Sequence, residues 1–125
     1  MLKKRIIFTL LYSENFFHLS RNFRLQKIGN YKWLKDNYNF SKISFFIDEL
    51  IILNIQRDNK NFQSFFENIK HITKECFIPV TIGGGINNLQ TADIFFRNGA
   101  DKILVNSVIH SNIDLIKKLA SIYGS

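Results

Sequence analysis

Four short apolar runs, rich in β-branched residues, are spaced along the chain: KRIIFTLL (4–11), ELIILNI (49–55), IPVTIG (78–83) and KILVNS (102–107). Each is continuously apolar rather than alternating, which is how a strand covered on both faces of a parallel sheet reads. Parallel neighbours cannot be joined by a tight turn, so the chain between them must cross over, usually as a helix. The intervening segments have that character. Within 61–75, Phe62, Phe65, Phe66, Ile69 and Ile72 recur at helical spacing and form one apolar face. Asn87 or Asn88 is placed to cap a helix carrying Leu89, Ala92, Phe95 and Phe96, stopped by Gly99. Asn112 precedes Ile113, Ile116, Leu119, Ala120 and Tyr123, and Gly124 closes that segment. YKWLKDNYNF (31–40) reads as helix, whereas 12–30 reads as polar and irregular. The order β-α-β-α-β-α-β-α implies a parallel sheet built by right-handed crossovers. Periodicity does not separate a small open sheet from part of a (β/α)8 barrel. A complete barrel takes ~250 residues, so length on its own leans toward the open sheet.

Composition removes several alternatives. At 46% hydrophobic and 22% charged residues the chain is globular rather than disordered, and 125 residues make one domain, 1–125. No apolar run approaches the ~18 residues of a membrane span. The start, MLKKRIIFTLLYSENFF, pairs basic residues with an apolar run, but no small-residue cleavage site follows, so it reads as a first strand. Cys76 is the single cysteine. It excludes an intrachain disulfide and suits a reducing cytoplasm. The net charge of +7 comes from Lys and Arg scattered along the chain, without zinc-ligand spacing or an aromatic–basic RNA motif. This argues against nucleic acid, while an anionic small molecule or an acidic partner protein explains the excess equally well. His18, His71 and His110 show no ligand spacing, so neither a metal nor a cofactor is expected. His71 reads as a surface residue, His110 as a rim-loop residue kept as a minor candidate ligand contact, and Cys76 as a packed one.

The glycines are concentrated. VTIGGGINN (80–88) holds Gly83, Gly84 and Gly85 side by side, where a strand ends and a helix begins. Such a loop turns sharply and bares consecutive amide N–H groups beside a helix N-terminus, a cradle suited to phosphate. The alternative is a tight strand–helix turn with no ligand. No Gly-Lys-Ser/Thr follows, so it is not a Walker loop, and the G-x-G-x-x-G spacing is missing. Asn106 and Ser107 lie at the end of the next apolar run. Neighbouring parallel strands share one rim at their C-terminal ends, so these residues and the glycines can address one ligand.

MLKKRII at the start, IDELIIL (47–53), IPVTIGGGI (78–86), NGADKILVNS (98–107) and IYGS at the end occur in order at suitable spacing. Together they resemble the N-terminal half of the cyclase subunit of imidazole glycerol phosphate synthase, a (β/α)8-barrel family of histidine biosynthesis. The resemblance implies half of a TIM barrel. It also implies a lyase that adds ammonia, delivered by a glutaminase partner, to a phosphorylated ribulosyl substrate. By position Gly84, Gly85, Asn106 and Ser107 match one of the family's phosphate sites. Arg5, Glu49 and Lys102 match three of four charged residues that gate the ammonia entrance. A structural ion-pair cluster is the other reading of those three.

Several positions depart from the family pattern. Leu11 stands where the family has its strand-one catalytic Asp, and leucine moves no proton. Glu14 is a poor positional substitute. Asn54 replaces the Asp that usually ends strand two, and Leu19, flanked by His18 and Arg21, falls where a loop Lys is expected. A branch of the family serving surface-sugar amidation also reads Leu-Leu in strand one. The second catalytic Asp and second phosphate site would belong to strands five to eight. No catalytic residue is therefore assigned, and activity stays uncertain. A half barrel is expected to dimerise, pair with a separate second half or fold poorly, as a truncated reading frame would. The alternative from another class is a noncatalytic basic binding or assembly module.

Overall fold

The computed structural model describes residues 3–57 and 62–124. The first two residues of the MLKKRII block, residue 61 at the head of the expected third-segment helix, and the last residue of IYGS lie outside these. The chain runs β1 (Ile7–Ser13), β2 (Phe16–Arg21), β3 (Arg24–Gly29), α1 (Tyr31–Tyr38), α2 (Phe40–Ile43), β4 (Glu49–Asn54), α3 (Phe62–Glu75), β5 (Val80–Gly83), α4 (Leu89–Arg97), β6 (Lys102–Leu104), α5 (Ser107–Ser111) and α6 (Ile113–Tyr123).

Among the described residues the strands form one sheet in the order β3-β2-β1-β4-β5-β6. The pairs β1–β4, β4–β5 and β5–β6 are parallel. Strands consecutive in the β-α alternation are thus always neighbours, and the order never reverses. Right-handed crossovers without a reversal put every helix on one face. That is the winding of a (β/α)8 barrel, not of a doubly wound sheet, and with four parallel strands it is half of one.

The two faces differ accordingly. Phe8, Leu10 and Tyr12 of β1 stand in register with Leu50, Ile52 and Asn54 of β4, and Leu50 and Ile52 with Val80 and Ile82 of β5. Leu10, Leu50, Ile52 and Ile82 are wholly buried, together with Phe65, Ile69 and Ile72 of α3 and Ala92 and Phe95 of α4. A Leu, Ile or Phe side chain fully removed from water stabilises by about 1.5–3 kcal/mol. Phe62, Phe65, Phe66 and Phe95 meet at centroid separations of 5.2–6.2 Å, so the apolar stripe read in 61–75 locks α3 onto α4. The opposite face carries Ile7, Thr9 and Leu11, then Ile51 and Leu53, then Thr81 and Gly83, then Lys102 and Leu104. It is open toward its edges, where Ile7 is 48% exposed and Leu104 43%, whereas Thr81 at its middle is buried.

The largest correction concerns 12–30. Instead of an irregular crossover, β1 continues to Ser13 and turns into the antiparallel pair β2–β3 before α1 begins. Both turns are two-residue loops, Glu14-Asn15 and Asn22-Phe23, with all four residues at positive φ. That is the primed-turn geometry whose twist matches the flanking strands. Tyr12 helps fix the first turn, donating its hydroxyl to Asn15 Oδ1 at 2.9 Å. Smaller corrections follow. The helix expected over 31–40 breaks at Asn39, which is left-handed, and restarts as α2. The strand expected over 102–107 ends at Leu104, and Ser107 opens α5.

Candidate functional site

The C-terminal ends of β4, β5 and β6 share a cavity of about 730 Å³, lined among others by Leu53, Asn54, Gly84, Gly85, Asn106 and Ser107. Parallel pairing is what assembles it: Leu53 is in register with Gly83, and Gly83 with Leu104, so the three loops leave the sheet at one level. Gly84, at φ +107°, lies so close to β4 that a Cβ there would fall on the Asn54 carbonyl oxygen. Only glycine satisfies both conditions. The loop is therefore tied tightly to the next strand whether or not a ligand is bound. Gly85, at φ +85°, is exposed at the mouth with Asn106 and Ser107.

The donors around this mouth are not all open. Asn88 caps α4 by accepting from the Thr91 amide at 2.8 Å, so one amide of that helix start is already satisfied. Asn106, by contrast, stands before α5 without making a side-chain cap bond. Asn106 and Ser107 line the same cavity as the glycines.

Arg5, Glu49 and Lys102 meet at the other end of the strands. Lys102 Nζ lies 2.7 Å and Arg5 Nη2 3.3 Å from the same oxygen, Glu49 Oε1. Glu49 is buried and the two cations are more than half exposed. The Lys102 hydrogen bond is the main reason its carboxyl sits below the usual glutamate range, with Arg5 helping and Asp48 opposing. Asp48 itself accepts from the Ile6 amide at 2.6 Å, and Asp101 from the Val80 amide at 2.8 Å, closing the sheet at this end. The loops here also present Phe45 (83% exposed), Phe46 (70%) and Phe77 (81%).

The remaining candidates sort clearly. Cys76 is buried and burial pushes its thiol up, away from the reactive thiolate. His71 is exposed and stacks on Tyr31, with centroids 5.0 Å apart. His110 is exposed on α5 and Glu14 lies in the first hairpin turn. No cluster of metal-ligating side chains exists among the described residues. Leu11 is half-buried on the open face, and Asn54 is buried with its Oδ1 accepting from the Gln56 amide at 3.2 Å. Sequence reasoning missed the placement of His18: β2 brings it into register beside Leu11, on the open face. The signal was the short spacing between the two apolar stretches around Glu14-Asn15.

The "Histidine biosynthesis protein" family model matches residues 38–125. The chain belongs to that family. A protein of Parasynechococcus marenigrum named "Putative imidazole glycerol phosphate synthase subunit hisF2" is 46% identical over 99% of this chain and 46% of its own length. A Campylobacter jejuni protein of the same name is 38% identical over 100% of this chain and 49% of its own. The imidazole glycerol phosphate synthase subunit HisF of Chlorobium phaeovibrioides is 40% identical over 62% of this chain and 31% of its own length. This member of the histidine biosynthesis family thus spans about half the length of the curated relatives that it matches throughout. No described helix is long and apolar enough to cross a membrane.

Proposed function

We propose that the chain forms the phosphate-binding half of a cyclase-type barrel that uses ammonia from a glutaminase subunit. The observation carrying this reading is the convergence of Gly84, Gly85, Asn106 and Ser107 on one cavity at the C-terminal ends of three adjacent parallel strands. Ligands of parallel α/β sheets bind at that end. The phosphate of a phosphorylated ribulosyl substrate sits on the loop amides and the Ser107 hydroxyl. At the strand-start end, Glu49 with Arg5 and Lys102 forms the gate through which ammonia enters. The exposed Phe45, Phe46 and Phe77 around it supply an apolar rim for the glutaminase.

Catalysis needs more than this unit. Leu11 offers no proton acceptor, and the open face with Ile7, Leu11 and Leu104 needs a cover. A second half-barrel, or a second copy of this chain, closes the barrel over it. The alternative reading is the family's surface-sugar amidation branch, whose first strand likewise reads Leu-Leu, as Leu10 and Leu11 do here.

Calorimetric titration with ribose 5-phosphate tests the site. Wild type binds, Ser107→Ala weakens binding about tenfold through a lost hydrogen bond to a charged group, and Gly85→Val abolishes it. Binding unchanged in both variants, with native circular dichroism, would remove the proposed phosphate site. Light scattering tests the cover: a discrete dimer supports closure by a second copy, and a monomer with exposed apolar face points to a separate half.

A further inference from the structure

The β1–β2 turn folds the chain back so that His18 stands directly opposite Leu11. Phe17, its neighbour, is wholly buried and packs edge-on against Tyr12 at 5.4 Å, on the helix side of the sheet. Alternation then sends His18 to the open side. Lys27 is its register partner on β3, with Nζ 3.5 Å above the Phe16 ring on that same side. One row of residues therefore crosses the open face at the level of the cavity: Lys27, His18, Leu11, Leu53, Gly83 and Leu104. Leu53 lines the cavity two strands, about 10 Å, from His18, and the loop bearing Gly84 and Gly85 follows β5, one strand further, about 14 Å from His18. The three residues between His18 and Leu104 carry no side-chain hydrogen-bonding group. His18 Nδ1 is covered by protein yet has no hydrogen-bond partner. A covered ring nitrogen without a partner carries a cost that a hydrogen bond would offset.

We propose that His18 is the polar contact for the carbon chain of the ligand whose phosphate is held at Gly84, Gly85 and Ser107. This rests on the phosphate-site reading above. A phosphate alone does not reach β2. A pentose phosphate lying across Leu53 and Leu11 presents a carbonyl or hydroxyl oxygen to the imidazole, while its hydrocarbon backbone passes over the two leucines. Leu11, which cannot serve as an acid or base, becomes floor, and the hydrogen-bonding group moves one strand outward. His18 thereby reads ligand length, separating a pentose phosphate from inorganic phosphate.

The test is imidazole ¹⁵N NMR on the full chain, with the three histidines assigned through His18→Asn, and titration with inorganic phosphate and then ribulose 5-phosphate. Both ligands are expected to bind. Only ribulose 5-phosphate is expected to move the His18 ring signals, with about tenfold tighter binding. His18→Gln and His18→Ala should reduce its affinity to that of inorganic phosphate, which itself stays unchanged. Ribulose 5-phosphate binding with unmoved His18 signals and undiminished affinity in the variants overturns this inference alone. Binding of neither ligand overturns the phosphate site as well, so the two failures are distinguishable. The wild-type spectra decide the matter even if a variant folds poorly.

Discussion

On the β4–β6 side of the strand-end rim, positive φ falls on glycines, Gly84 at +107° and Gly85 at +85°. In the hairpin turns it falls on Glu14 and Asn15, at the same rim, and on Asn22 and Phe23, at the opposite end of the strands, between +52° and +66°. The difference follows from what each turn touches. A Cβ on Gly84 would fall on the Asn54 backbone, so no side chain fits there. Phe23 is wholly exposed, so its Cβ meets only water and the cost is the local left-handed strain of about 1–2 kcal/mol. Close backbone approach, rather than the turn alone, is what demands glycine here.

Substitutions can break that comparison. Gly84→Ala should destabilise by about 3 kcal/mol, combining left-handed strain with overpacking against backbone, read as a lower urea midpoint with unchanged m-value. An effect below about 1 kcal/mol would mean the loop moves freely off β4. Asn88→Ala, on the same side but touching no neighbouring strand, should cost about 1 kcal/mol through the lost cap on Thr91. Phe23→Gly should have the opposite sign and stabilise by about 0.5 kcal/mol, strain relief partly offset by unfolded-chain entropy. Destabilisation instead would mean that Phe23 packs on something in solution.

The strand-start end sharpens the contrast through pH. Glu49 is held below its ordinary range by Lys102 and Arg5, so its contribution is complete above that range and is lost on acidification through the lowered value. Thermal melts should therefore fall as pH drops below about 4.5, the ordinary Glu value, and Glu49→Gln should flatten that part of the slope. An unchanged slope would show that other carboxylates govern acid stability.

The parallel half of this fold was legible because burial on both faces leaves continuous apolar runs, and α3 because its Phe and Ile residues keep helical spacing. The cluster of Arg5, Glu49 and Lys102 was legible through the family resemblance, since only tertiary pairing brings Glu49 to Lys102 across 53 residues of chain. The hairpin was not. Its turns use Glu-Asn and Asn-Phe rather than Asn-Gly, and its strands, with β3 largely exposed, show no clean alternation of apolar and polar residues. The end of β6 was overextended because Val105 continues the apolar run after the β5 pairing has stopped. The place of His18 depended on the hairpin register and was hidden with it.

The order in which the sheet's neighbours follow one another along the chain also sets how it must assemble. The hairpin closes over two-residue turns, the β5–β6 seam over a separation of 21 residues between Val80 and Asp101, and the β1–β4 seam over 42 between Ile6 and Asp48. Loop closure has an entropic cost that rises with the span, and distant pairings slow the search. Pulse-labelled amide exchange during refolding is accordingly expected to protect the hairpin first and the β1–β4 seam last. Until that last seam forms, the early-formed hairpin and the later modules behave as two separate pieces of structure on one chain.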